Sequence, residues 1–232
     1  MPSICVPIQA KTIKELQKKL REAKVVGADM VEIWLDHLSS PSGPPFGPLS
    51  VLAVCKSPFE KGFFRGSEAE RAKILIAASR WANMIDIPLS MPEKLISRLS
   101  SLVTRHSSLV TSSCKIILSH HDFQKTPSDS ALLRLARRMR NLGADIVKIA
   151  CQARSQKDAW RMVVLASRLQ KEGIPHILIA MGKHGRISRV LTPLLGGAMM
   201  FAPVRKTAKT APGQFTVAEL RNFWNSSTLA TS

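Results

Sequence analysis

Two side chains able to do covalent and acid-base chemistry stand where short apolar runs come to an end. Lys148 lies inside Asp145-Ile-Val-Lys-Ile-Ala-Cys151, and His121 closes Lys115-Ile-Ile-Leu-Ser-His-His121. Successive residues of a strand point to opposite faces. Ile117, Ser119 and His121 therefore share one face of the first run, and Ile146, Lys148 and Ala150 share one face of the second. A lysine between Val147 and Ile149, covered on both faces, must be paired or must give up its proton and become an amine nucleophile. An imidazole nearby is suited to carrying protons to and from whatever that amine attacks.

The same counting brings further groups to the pair. Val31, Ile33 and Leu35 form an apolar stripe, which leaves Met30, Glu32 and Trp34 on the other face of their run; Leu52, Val54 and Lys56 share a face of the next. If these faces point to a common interior, Glu32, Lys56, His121 and Lys148 converge on a constellation for proton transfer and amine catalysis. Taken singly, each has a plainer role: a solvated carboxylate, a hydrogen-bonded structural histidine, a lysine snorkelling to Glu32. Convergence separates the two readings. His120 faces the opposite layer.

Positioning these residues requires a particular scaffold. Strand-like runs fall at residues 3–8, 30–35, 51–56, 84–89, 114–121, 145–151, 175–181 and 198–204, the number that a closed parallel barrel needs. Amphipathic segments at 13–23, 68–81, 92–104, 130–141 and 157–171 lie between them. The alternation predicts an α/β fold, a (β/α)8 TIM-type parallel barrel, with residues 1–232 as a single catalytic domain. Between Asp36 and Leu49 proline and glycine dominate, so the second crossover helix is expected to be reduced or missing. No G-x-G-x-x-G occurs, which excludes the usual dinucleotide fingerprint.

Composition narrows the partners. The chain has 34 Lys and Arg against 16 Asp and Glu, a formal charge of +18, which favours anions of some kind. Aromatic content is 5% with no Tyr, so a stacking platform for single-stranded nucleic acid has few parts. Cys5, Cys55, Cys114 and Cys151 show no C-x-x-C or metal-ligand spacing and read as buried reduced thiols. The apolar start Ile4–Ile8 is followed at once by lysines, unlike a signal peptide, and no stretch reaches transmembrane length. A cytoplasmic location without membrane contact is expected.

Five segments, in order, carry a resemblance: Glu32-Ile-Trp-Leu-Asp36, Ser119-His-His-Asp-Phe123, Asp145-Ile-Val-Lys-Ile-Ala150, Met181-Gly-Lys-His-Gly-Arg-Ile-Ser-Arg189 and Ala211-Pro-Gly-Gln214. Together they resemble the motifs of type I 3-dehydroquinate dehydratase and span nearly the whole chain. The resemblance implies a (β/α)8 barrel that dehydrates 3-dehydroquinate to 3-dehydroshikimate, the third step of the shikimate pathway, without metal or organic cofactor. It implies Lys148 as Schiff-base lysine, His121 as general acid and base, and Glu60 as the carboxylate orienting that histidine. It implies substrate contacts at Glu32, Trp34, Lys56, Met181, Arg189, Phe201, Thr210 and Gln214, with Arg189 on the substrate carboxylate. Small anionic 3-dehydroquinate is then the partner, a homodimer the common assembly, and a separate shikimate dehydrogenase the next enzyme.

The chain departs from the family's pattern in four places. Trp34 and Lys56 stand where the family has arginines, Asp86-Ile-Pro88 where it often has Asp-x-Glu, and Thr210 where it has serine. For catalysis, Lys148 must be partly neutral although free lysine titrates near about 10.4. Low solvation and the neighbouring cations Lys56 and Arg189 are expected to push it down. Two other readings remain open from the residues. One is a barrel without activity that binds polyanions through Arg137, Arg138, Arg140, Lys206 and Lys209; the other is an aldolase-like Schiff-base enzyme, which leaves the Arg189 motif unexplained.

Overall fold

The computed structural model describes residues 1–39, 48–107, 114–208 and 210–226. Eight parallel strands follow one another around a barrel: β1 Ile4–Ile8, β2 Met30–Trp34, β3 Ser50–Val54, β4 Met84–Pro88, β5 Lys115–Asp122, β6 Ile146–Gln152, β7 His176–Met181 and β8 Met200–Phe201. Pairing runs β7-β6-β5-β4-β3-β2-β1-β8. A parallel bridge from His176 to Gly197, just before β8, brings the two ends together. Helices α1 Ile13–Val25, α2 Glu68–Ala78, α3 Glu93–Ser107, α4 Asp129–Asn141, α5 Gln156–Lys171, α6 Arg186–Leu194 and α7 Val217–Ser226 cover the outside.

Local chemistry sets these elements. Thr12 accepts the Glu15 N–H to start α1, which then buries Leu16, Leu20 and Ala23 at helical spacing. Ser67 and Glu70 form a reciprocal capping box at α2. Strands β1, β2 and β7 are buried along their whole length, as parallel strands under helices must be. In β2 and β4 the aliphatic residues Val31, Ile33, Ile85 and Ile87 make one face and pack into the core. That leaves Glu32, Trp34 and Asp86 on the barrel side. The lower interior is filled by residues such as Leu52, Ile117 and Ile177, each buried, so the barrel is a packed core with its polar groups above.

Among the described residues, the second crossover holds only a 3-10 turn at Leu35–His37, and residues 40–47 of the expected reduced helix lie outside them. β8 is shorter than the 198–204 run because that run divides between two neighbours. Ala198 N–H donates to His176 O at 2.8 Å on the β7 side, whereas Met200 and Ala202 donate to Ser3 and Cys5 on the β1 side. Pro203 then has no N–H to offer. All four cysteines are free thiols; Cys5, Cys55 and Cys151 are buried, but Cys114, at the outer end of β5, is partly exposed. Among the described residues, no helix is long and apolar enough to cross a membrane.

Candidate active site

The carboxyl ends of the strands surround one pocket, and every residue singled out for chemistry or binding lines it: Lys148, His121 and Glu60, and with them Glu32, Trp34, Lys56, Met181, Arg189, Phe201, Thr210 and Gln214. Strand register does much of this. Parallel pairing sets Ser119 beside Lys148 and His121 beside Ala150, so Lys148 and His121 project from adjacent strands one step apart along the barrel axis. Pro7 lies beside Glu32 in the same way.

At the centre sits an ion-pair network that the sequence reading caught only in part. Lys148 Nζ donates to Asp86 Oδ2 at 2.7 Å and to Glu32 Oε1 at 3.3 Å. The other Glu32 oxygen accepts from Lys56 Nζ at 3.4 Å and from Trp34 Nε1 at 2.8 Å. Ser119 Oγ donates to the second Asp86 oxygen. Asp86 was not among the candidates. Its signal was available, since an acid bracketed by Ile85 and Ile87 must face inward by the alternation that picked out Glu32.

Asp86 reverses one expectation. Burial does act to lower the Lys148 pKa, but Asp86 and Glu32 at contact distance outweigh it, so the ammonium is held above its ordinary range rather than pushed down. Lys56 and Arg189 do not decide the matter; the two carboxylates do. Burial alone would raise both acids, yet Lys148 and Ser119 keep Asp86 below the usual carboxylate range, and Lys56 with Lys148 does the same for Glu32. The resting pocket therefore holds a protonated lysine between two ionised acids.

His121 behaves oppositely. Desolvation, and then the charges of Lys148 and Lys56, push its pKa down to about 3, so the resting ring is neutral near pH 7. It stacks on Phe123 with ring centroids 5.9 Å apart and planes 9° apart. Glu60 reaches the pocket wall, but its carboxylate is engaged by Arg71 and by the N–H and hydroxyl of Ser57. Arg71, fully buried and also donating to Cys55 O at 2.6 Å, anchors Glu60 from behind; sequence spacing gave no sign of it.

Trp34 and Lys56 are a coupled unit. The Trp34 indole spends its single donor on Glu32, and Lys56 Nζ sits 3.9 Å from the Trp34 ring centroid. Phe201 contributes a second aromatic face, 4.6 Å from Lys148 Nζ. On the far side, Arg189 is 2% exposed, and its Nε has no hydrogen-bond partner among the described residues. Among the described residues its one hydrogen bond is a long one, from a terminal nitrogen to Pro212 O at 3.4 Å. Burial without an acid lowers its pKa to about 10, still fully charged near pH 7. Gln214 Oε1 accepts the N–H groups of Thr210 and Ala211 at 2.9 and 3.1 Å, which folds the last loop over Arg189. Gly213 takes φ +79°, and a Cβ there would lie 2.6 Å from Gly182 O, so only glycine lets the loop approach.

The basic residues that suggested a polyanion surface have local partners. Arg137 pairs with Glu172, Arg138 with Glu93 and Lys206 with Glu219, and Arg140 donates to Ala144 O. Lys209 lies outside the described residues. No group of three or more His, Cys, Asp or Glu side chains is arranged to hold a metal ion among the described residues.

Similarities to known proteins fit this geometry. The sequence profile of the family described as type I 3-dehydroquinase matches residues 4–230. A 3-dehydroquinate dehydratase of Methanothermobacter thermautotrophicus is 36% identical over 220 residues, covering 92% of each chain. The chloroplastic bifunctional 3-dehydroquinate dehydratase/shikimate dehydrogenase of Arabidopsis thaliana is 33% identical over 235 residues, 96% of this chain and 36% of that protein. Among solved structures, the type I 3-dehydroquinate dehydratase of Clostridium difficile, with covalently modified comenic acid, matches with a TM-score of 0.86. That match has 26% identity and covers 97% of this chain and 91% of that one.

Proposed function

The chain belongs to the type I 3-dehydroquinase family, and from that premise we propose that it dehydrates 3-dehydroquinate to 3-dehydroshikimate through a Schiff base on Lys148, with His121 as general acid and base. The protein is a hydro-lyase of that family, and the reaction is a step of the shikimate pathway. The observation that carries the residue assignment is the pairing of a buried, doubly countered Lys148 with a buried, uncountered Arg189 across one pocket.

Arg189 takes the substrate carboxylate, since its fork can bind one bidentately and its Nε is otherwise unsatisfied. This sets the ring ketone toward Lys148. One proton passes from the Lys148 ammonium to the neutral His121 ring, and the free amine adds to the carbonyl carbon. Loss of the carbonyl oxygen as water, with a proton supplied by His121, leaves a protonated imine. The nitrogen is cationic before and after this step, so Asp86 and Glu32, which oppose the neutral amine, stabilise the iminium as they stabilised the ammonium. Catalysis then needs the amine only transiently.

The iminium draws electrons from the adjacent carbon. His121 takes the proton there, the resulting enamine expels the neighbouring hydroxyl, and the same imidazole gives it a proton, so water departs. Hydrolysis of the imine returns Lys148. A substrate anion in the pocket opposes the desolvation and the cations that hold the His121 ring neutral, and so favours proton uptake there. Glu60, fixed by Arg71, forms the wall beside the ring, and Met181, Phe201, Thr210 and Gln214 enclose the substrate.

Borohydride reduction in the presence of 3-dehydroquinate, followed by intact mass and peptide mapping, tests the proposal. A substrate-derived adduct on Lys148 is the expected result. Unmodified Lys148 in folded protein, alongside a labelled active relative, would overturn it.

A further inference from the structure

One pocket cation has neither a role in the proposed chemistry nor a carboxylate partner among the described residues. Lys61 lines the same cavity as Lys148 and Arg189, yet its side chain is exposed. Its Nζ lies 4.6 Å from the centroid of the Phe123 ring, the ring that stacks on His121. Among the described residues it is the one non-glycine with positive φ, +63°. A lysine reaches this conformation at a cost, and such outliers gather at sites of function.

The surroundings impose the conformation. Lys61 closes the 3-10 turn Pro58–Glu60 with its N–H on Pro58 O at 3.0 Å. Gly62 N–H returns to Ser57 O at 2.9 Å, and a Cβ on Gly62 would sit 2.1 Å from Lys56 O. The loop is thus pressed against the end of β3, and the Lys61 stem leaves it at the pocket mouth.

Charge pairing shows what this cation is free to do. Lys56 and Lys148 are matched by Glu32 and Asp86, and Glu60 by Arg71. Arg189 and Lys61 are the pocket cations without a carboxylate partner among the described residues. Their segments follow β7 and β3, strands on opposite sides of the ring, which sets Lys61 at the mouth and Arg189, buried, at depth. We propose that Lys61 is an anion-capture residue: it draws the carboxylate of an incoming hydroxy acid to the mouth before Arg189 binds it at depth, and so favours anionic substrates over neutral analogues. This rests on the reading above that the pocket accepts a carboxylate substrate.

Glycine adopts the left-handed conformation without strain, so Lys61→Gly removes the charge while preserving the turn. Steady-state kinetics with 3-dehydroquinate across a sodium chloride series, for the parent, Lys61→Gly and Lys61→Arg, read the effect. Lys61→Gly should melt at or above the parent temperature, keep kcat, raise KM by about three- to tenfold at low salt, and flatten the salt dependence of kcat/KM. Lys61→Arg should retain the parent values. An unchanged KM and salt slope in Lys61→Gly, or a loss confined to kcat, would overturn the capture role. Calorimetric binding of quinate, an unreactive hydroxy acid, separates the two levels. Weaker quinate binding by Lys61→Gly supports capture even if the parent does not turn over 3-dehydroquinate, while equal binding, or none by the parent, overturns it.

Discussion

The two halves of the pocket are built on opposite electrostatic plans. Around Lys148, cations and anions are matched within the protein: Lys148 and Lys56 against Asp86 and Glu32, with Trp34 and Ser119 supplying further donors. Around Arg189 nothing is matched; a guanidinium is buried with one long bond to a carbonyl and an idle Nε. In the proposed mechanism the matched half stabilises a cation that belongs to the protein throughout, first ammonium and then iminium. The unmatched half is stable only as far as the cost of one buried charge allows, and a ligand anion relieves that cost. On that proposal, reaction and recognition are separated by how charge is balanced.

Substitutions at each half can break that contrast. Lys148→Met should abolish turnover and all borohydride trapping, and Asp86, losing its main countercharge, should titrate higher than in the parent, readable by infrared carboxyl bands; residual turnover near the parent rate would defeat the assignment. His121→Ala should still trap substrate but lose about 10² to 10⁴ in kcat, measured by comparing adduct yield with steady-state rate. Arg189→Met should act on binding, raising KM by about 10- to 100-fold, in line with a charged hydrogen bond worth about 1.5 to 3 kcal/mol, and it should raise thermal stability in the absence of substrate.

Two smaller effects sharpen the picture. Trp34→Arg puts a cation beside Lys56 and competes for Glu32, so kcat should fall by only a few-fold, at the scale of about 1 kcal/mol for one disturbed pair; a lower KM with kcat intact would mean the indole is merely a filled space. Acid titration probes the matched half directly. The folded His121 pKa of about 3 lies below its ordinary 6.5, so the unfolded chain binds more protons between those values. Stability should therefore rise with pH across that window and fall on acidification. The depressed Asp86 and Glu32 carboxyls add a loss in the same direction at the acid end. Melting temperature followed from pH 7 downward, with His121→Phe showing a shallower decline, checks the sign.

What could be read without a structure follows the reach of each physical rule. Alternation along a strand is local, and it placed Glu32, Lys56, His121 and Lys148 on interior faces correctly. It could have placed Asp86 as well, had the step from Met84 to Pro88 been counted as in β2. The protonation of Lys148 was beyond that rule, because it depends on an acid 62 residues earlier in the chain, brought close only by barrel closure. Glu60 was recognised but its partner was not, since Arg71 belongs to the helix that follows. Lys61 was invisible for a different reason: side-chain type says nothing of a left-handed turn, and that turn sends it to the mouth.

The seam between β7 and β8 gives the molecule a built-in order of loosening. There the barrel is joined by a single bridge at His176 and Gly197 and by a two-residue strand, whereas β5 and β6 are zipped along a long, continuous register. Backbone amides at Ala198 and Ala202 should then exchange with deuterium sooner than those of Leu118 or Ile149. The last loop, with Thr210 and Gln214, follows the weak strand, while His121 and Lys148 ride on the strong pair. Loosening at this seam should therefore reach the loop of Thr210 and Gln214 before it reaches the strands that carry His121 and Lys148.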